Sequence, residues 1–171
     1  MSFRNQSRST NALAGAVAGA AAGALAVWVM DRVDWFAYNR ESEQARQRTI
    51  AARPGGMDPG HVLASKVAGA VGKEITQPHP AGISAHYVFG MAPAAVYGAL
   101  YDSVPALSAG KGTLFGLGMF LMHDEGLNAL SGLSGKPQAY PWQAHARGFL
   151  AHLVYGVVLD IGVRQARKLL R

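Results

Sequence analysis

The sequence predicts an all-α membrane protein: a single membrane domain over 1–171, about four transmembrane helices forming two helical hairpins, and an amphipathic helix in the first loop. Three observations carry this expectation. Half of the 171 residues are hydrophobic and 15% are charged, against roughly a quarter charged in average soluble domains. Apolar and polar residues are segregated into blocks, so the mean hydropathy of +0.09 averages several very apolar segments with one long polar one. Finally, the 21 glycines follow neither a collagen period nor the polarity of a flexible linker. Small residues inside apolar runs suit close helix packing in lipid.

The first span is expected over 12–30, an uncharged run close to the roughly 20 residues that cross a bilayer core. Gly15, Gly19 and Gly23 recur every fourth residue and give one smooth face for another backbone. The run is long for the apolar stretch of a signal peptide and ends in Asp31-Arg32 without a processing site, so an uncleaved helix is expected. Residues 31–82 form an extramembrane helical loop. Trp35, Phe36 and Tyr38 open it where an interfacial aromatic belt belongs, and helix-forming composition continues to Ala52. Pro54-Gly55-Gly56 breaks it, and Asp58-Pro59 reads as an N-cap with proline at the first helical position. Leu63, Val67, Ala70 and Val71 then share one face of a short amphipathic helix on the membrane or the bundle, ended by Gln77-Pro78-His79-Pro80. The second span covers 83–101 and includes Pro93, tolerable in lipid where neighbours re-satisfy the backbone. The third covers 113–130 and the fourth 148–163.

Two self-matches suggest an internal duplication. Ala85-His86-Tyr87-Val88-Phe89-Gly90 recurs as Ala151-His152-Leu153-Val154-Tyr155-Gly156, and Gly19, Gly23 and Asp31 share their spacing with Gly112, Gly116 and Asp124. Two hairpins related by an axis along the membrane normal would produce both. Gly15, Gly19, Gly23, Gly112 and Gly116 are the expected helix-packing positions, within one chain or between copies in a homo-oligomer.

Composition also excludes. With no cysteine there is no disulfide, Cys-ligated zinc, Fe–S cluster or thiol nucleophile. The net charge of +6 and a pI near 9.9 come without a basic stripe interleaved with aromatics, which argues against nucleic acid as a partner; the expected partner is the lipid bilayer. No G-x-S-x-G, Walker loop or G-x-G-x-x-G fingerprint is present, so no catalytic residues are expected.

The candidate site follows from alternating direction. Helices one and three end on the face where helices two and four begin, which gathers Asp31, His123, Asp124, Glu125, His86, His145 and His152 at one membrane face. Ionisable groups at membrane depth cost about 2.5–3.5 kcal/mol each on insertion scales, so they pair or line a wet cavity. Three readings stay open: interhelical hydrogen bonds with a purely structural role, proton handling by histidines beside carboxylates, or a divalent metal on His86, His123, His152 and Glu125. No H-E-x-x-H or E-x-x-H signature is present, and no cofactor is otherwise implied. His61 and His79 are expected to be solvated loop residues, Arg147 to pair with Glu125 or Asp124 or to snorkel, and Asp160 to pair with Arg164 one turn on.

The glycine-rich first helix, His86-Tyr87 with Tyr97-Gly98, the Asp124-Glu125 pair and His145 followed by His152-Leu153-Val154-Tyr155-Gly156 together resemble the YagU-like bacterial inner-membrane proteins. The resemblance implies a multi-pass protein of the bacterial inner membrane with a role in acid resistance or envelope stress, its polar pattern carried by His86, Asp124, Glu125, His145 and His152. Arg4, Arg8, Arg164, Arg167, Lys168 and Arg171 cluster near helix ends and favour cytoplasmic termini, which would turn the histidine face outward. The leading expectation is proton sensing or conduction in acid or stress tolerance. The alternatives are a metal-binding membrane protein or small transporter subunit, then a lipid-acting membrane enzyme.

Overall fold

The computed structural model describes residues 2–169, with side chains described over 11–169; the basic flank residues Arg4, Arg8 and Arg171 fall outside the described side chains. The described chain is helical throughout and has no strand. Helix α1 (Ser2–Tyr38) is followed by α2 (Glu43–Ala52), α3 (Pro59–Gly69) and α4 (Pro80–Leu100). A rod then runs from α5 (Thr113–Met119) through a π-helical stretch (Phe120–Leu127) into α6 (Asn128–Leu130), and α7 (Trp142–Leu169) closes the chain. The expected spans map onto α1, α4, the α5–α6 rod and α7. The helices are longer than the spans: α1 continues past residue 30 to Tyr38, and α7 begins at Trp142 rather than 148.

Two segments, Asn11–Tyr38 and Trp142–Leu169, are long and apolar enough to cross a membrane. Pro80–Leu100 and Pro105–Leu130 pass that test only as a pair, bent by 118°. The described residues therefore hold two such helices, or three if the bent pair counts as one. His86, Tyr87 and Pro93 dilute α4, while Asp124 and Glu125 dilute the rod. The exterior is apolar, with Leu13, Val17, Leu121, Met122 and Leu150 among the exposed large side chains. Such a surface suits contact with lipid.

Direction alternates along the bundle. Helix α1 packs on both α4 and α7, and α5 packs on α7. Asp31 at the end of α1 meets His86 at the start of α4, while Gly15 meets Gly98 at their other ends, so these two run antiparallel. The rod and α7 do the same, with Gly112 on Gly156 and Asp124 near His152. Each pair crosses where side chains are missing. A Cβ on Gly98 would overlap the carbonyl oxygen of Gly15, and one on Gly156 would overlap that of Gly112. The packing role expected for Gly15, Gly19, Gly23, Gly112 and Gly116 is therefore realised within one chain. Ala22, Ala26, Val27, Ala94, Tyr97, Tyr155, Leu159 and Val163 form the core between the helices.

The loop differs from expectation in two places, both in α3. Residues 31–52 are helical, in two pieces. Asn39 bonds back to the Trp35 carbonyl at 2.7 Å and closes α1; Ser42 Oγ then accepts the Ala45 N–H at 3.2 Å and opens α2, as N-cap serines do. Helix α3 begins at the expected Asp58-Pro59 cap but stops at Gly69, well before Gln77. Its packed face is also a different one. Gly60, His61, Val62 and Ala64 are buried, whereas Val67 and Val71 are exposed. The reason is backbone proximity: a Cβ on Gly60 would press on the Gly82 carbonyl and the His86 backbone, so the small-residue face wins the contact with α4 and the bulky stripe is left outside.

Candidate functional site: a histidine–carboxylate chamber

At the end of the bundle where α1 and the rod finish and α4 and α7 begin, a cavity of about 1060 Å³ opens, partly roofed by the loop between α1 and α4. Helix α4 and the rod meet at a bend of 118°. The seven expected cluster residues, Asp31, His86, His123, Asp124, Glu125, His145 and His152, all line it.

Three of these are consecutive, which an ordinary helix would not allow. Successive side chains on an α-helix fan out by about 100°, so His123, Asp124 and Glu125 would point to different faces. The stretch Phe120–Leu127 is π-helical, with the Asn128 N–H donating to the His123 carbonyl five residues back. More residues per turn narrow the fan. His123 sits edge-on to Phe89 of α4 with ring centroids 5.2 Å apart, Asp124 turns to His152 and Glu125 turns to His145.

Four histidine–carboxylate pairs result, each bonded differently. His86 Nε2 lies 2.8 Å from Asp31 Oδ1, tying α4 to α1. His152 Nδ1 donates to the Gly148 carbonyl at 2.9 Å and stands 3.7 Å from Asp124. His145 Nδ1 is 2.6 Å from Glu125 Oε1, and its Nε2 is 3.1 Å from the Pro137 carbonyl. A carbonyl only accepts, so Nε2 carries a proton, and the short contact to Glu125 needs a second one. This pair therefore holds a proton between imidazole and carboxylate. His61 is the opposite case: Nδ1 faces Asp58 at 2.8 Å while Nε2 accepts the His79 backbone N–H at 3.0 Å. Both of its ring nitrogens are engaged, Nδ1 donating to Asp58 and Nε2 accepting from His79. His123 makes no hydrogen bond among the described residues, so it is the imidazole left free to meet whatever enters.

Three expectations are corrected. His61 is not solvated; it is 3% exposed, because the Asp58 cap and the His79 backbone hold it against Gly82. His79 is half-buried and caps α4, its Nδ1 accepting the Ala81 N–H at 3.2 Å. Arg147 pairs with neither Glu125 nor Asp124 and does not snorkel. It is buried, with Nε on Asp34 and Nη1 on Glu41, each at 2.7 Å, and its guanidinium lies over the Tyr38 ring. Helix α1 runs on for two turns past Asp31, which carries these carboxylates to Arg147. Glu41 Oε2 is buried with no hydrogen-bond partner.

At the other end of the bundle Asp160 pairs with Arg164 as expected, and also accepts from Tyr97 at 2.7 Å and Tyr101 at 3.2 Å. Those tyrosines were not foreseen. The only sequence signal was an aspartate inside an apolar run, which predicts a partner without naming it.

No group of three His, Asp or Glu side chains has metal-holding geometry among the described residues. His86, His123, His152 and Glu125 line the same space without converging, since Glu125 is taken by His145 and His152 Nδ1 by a carbonyl. No family model, curated protein or solved structure matches the chain.

Proposed function

We propose that this chain is a four-span protein of the bacterial inner membrane, built from two related hairpins, whose histidine–carboxylate chamber senses acidification. The observation that carries the reading is the set of four histidine–carboxylate pairs around one cavity. Imidazole is the side chain whose unperturbed titration falls between about pH 5 and 8. Three of the pairs, His86–Asp31, His145–Glu125 and His152–Asp124, join separate helices, so each proton gained or lost alters a contact that fixes the chamber's shape. The duplication is supported by the same pairing in each hairpin: an aspartate late in the first helix meets a histidine early in the second, as Asp31–His86 and Asp124–His152. Sensing is favoured over conduction because the opposite end is shut by glycine-to-backbone contacts and the saturated Asp160 cluster. A role in acid or envelope-stress tolerance, with the chamber facing outward, follows from the YagU-like resemblance and the basic helix ends.

The test uses Trp35, which lines the chamber. In nanodiscs, the Trp28→Phe/Trp142→Phe variant leaves Trp35 as the single fluorophore among three tryptophans. A sigmoidal emission change between pH 8 and 5 is expected, displaced or abolished by His86→Gln, which removes the imidazole that ties α4 to α1. An emission that stays flat across that range in the folded protein overturns the reading.

A further inference from the structure

We infer that the chamber is a binding site for an amphipathic monovalent organic cation, held at neutral pH and released on acidification. The inference rests on the chamber reading above and adds a ligand class to it. Size is the first argument. About 1060 Å³ lies at the upper end of the roughly 300–1,000 Å³ typical of small-molecule sites, far more than a proton relay or a bare ion requires.

Charge is the second. The lining carboxylates are Asp31 and Asp34 from α1, Asp58 from the cap of α3, and Asp124 and Glu125 from the π-helical stretch. Against them stand three guanidiniums. Arg147 of α7 is already matched by Asp34 and by the buried Glu41. Arg32 of α1 leans on Trp28, 4.8 Å from its ring. Arg53 at the end of α2 is the third. With one proton held by the His145–Glu125 pair and the other imidazoles neutral, the lining keeps a small negative excess, which favours a cation over an anion.

The third argument is the apolar lining. Trp35, Tyr38, Tyr87, Phe89, Phe120, Tyr140 and Tyr155 present aromatic surface among the carboxylates, and ring faces attract cations most strongly where water is scarce. A strongly hydrated metal ion has no use for seven rings; a cation with an organic body does. His123, unbonded and beside Phe89, marks the open contact surface.

Release follows from the imidazoles of α3, α4, the π-helical stretch and α7. His61 is locked by its two hydrogen bonds, and the His145–Glu125 pair already holds its proton. Of the remaining imidazoles His86 lies against Asp31; the positive charge it gains on acidification offsets the small acidic excess of the lining and weakens the hold on a cation.

The experiment measures binding of tetraphenylphosphonium, and of its anionic isostere tetraphenylborate, to the purified full-length protein in detergent by calorimetry at pH 8.0 and 5.5. Saturable one-to-one binding of the phosphonium at pH 8.0 is expected, at least tenfold weaker at pH 5.5, and tenfold weaker at pH 8.0 in Asp31→Asn/Asp124→Asn. Borate binding as tight as phosphonium binding, or phosphonium binding indifferent to the two aspartates, means partition into apolar surface and overturns the inference. A Trp35 response to acid without phosphonium binding sinks the ligand and leaves the sensor standing. Phosphonium binding that ignores pH while Trp35 stays flat sinks both release and sensing.

Discussion

The two ends of this bundle solve opposite problems with the same four helices. At the closed end side chains are absent or saturated. Gly15 and Gly19 meet Ala94 and Gly98, Gly112 meets Gly156, and the buried Asp160 has Arg164, Tyr97 and Tyr101 as partners. At the open end a cavity lies between the helices, the polar groups are numerous, and their hydrogen bonding is incomplete: among the described residues His123 makes no hydrogen bond, His152 stands off from Asp124, and Glu41 keeps one buried oxygen unpaired. The contrast teaches where rigidity and responsiveness are placed. Backbone-to-backbone contact leaves nothing to titrate, whereas histidine–carboxylate pairs rearrange with each proton.

The largest expected effect comes from pushing the closed end apart. Gly156→Leu places a side chain where the Gly112 carbonyl already sits; overpacking against immobile backbone should cost above about 5 kcal/mol, and thermal unfolding by circular dichroism in detergent should find little folded protein. Gly118→Ala is the matched control. Nothing lies within 4 Å of that position, and a change within roughly 0.5 kcal/mol is expected.

Next is Arg147→Ala at the open end. It strands the 7%-exposed Glu41 beside Asp34, and breaking one partner of a buried pair costs about 3–5 kcal/mol. Adding Glu41→Gln should recover part of the loss; no recovery would show that Arg147 stabilises through packing rather than charge. Asp160→Ala should be milder, about 2 kcal/mol, because Arg164 is partly exposed and can reach water, leaving chiefly the two tyrosine hydroxyls without their acceptor. Asp160→Asn keeps that acceptor and should fall between Ala and the parent.

The smallest contrast is between two histidines. His61→Gln should cost about 1 kcal/mol through its lost cap contacts and leave the acid response of Trp35 unchanged, since both its ring nitrogens are engaged in local cap contacts. His86→Gln should shift that response. A shift from both, or from neither, would remove the distinction drawn from their hydrogen bonds.

Much of this was legible in sequence, for identifiable reasons. The helices announced themselves by apolar blocks, and the histidine end by simple alternation: residues late in odd helices and early in even ones must meet. The Asp58-Pro59 cap is a local signal and was read correctly. What escaped depended on three-dimensional detail. The π-helical stretch has no sequence mark, yet it brings His123, Asp124 and Glu125 into one space. The α3 face was misread because hydrophobic size was weighed above backbone proximity at Gly60. Arg147 was misassigned because α1 runs past its apolar stretch, bringing in Asp34 and, beyond it, Glu41.

The most direct test of a single chamber at one membrane face exploits the absence of native cysteine. Single cysteines at Ile83 and Ala144, both lining the cavity, and at Ser108, at the opposite end of the bundle, are exposed to a membrane-impermeant maleimide in sealed vesicles of known orientation. Ile83→Cys and Ala144→Cys should react from the same side and Ser108→Cys from the other. Labelling of the two cavity positions from opposite sides of the bilayer would contradict the account.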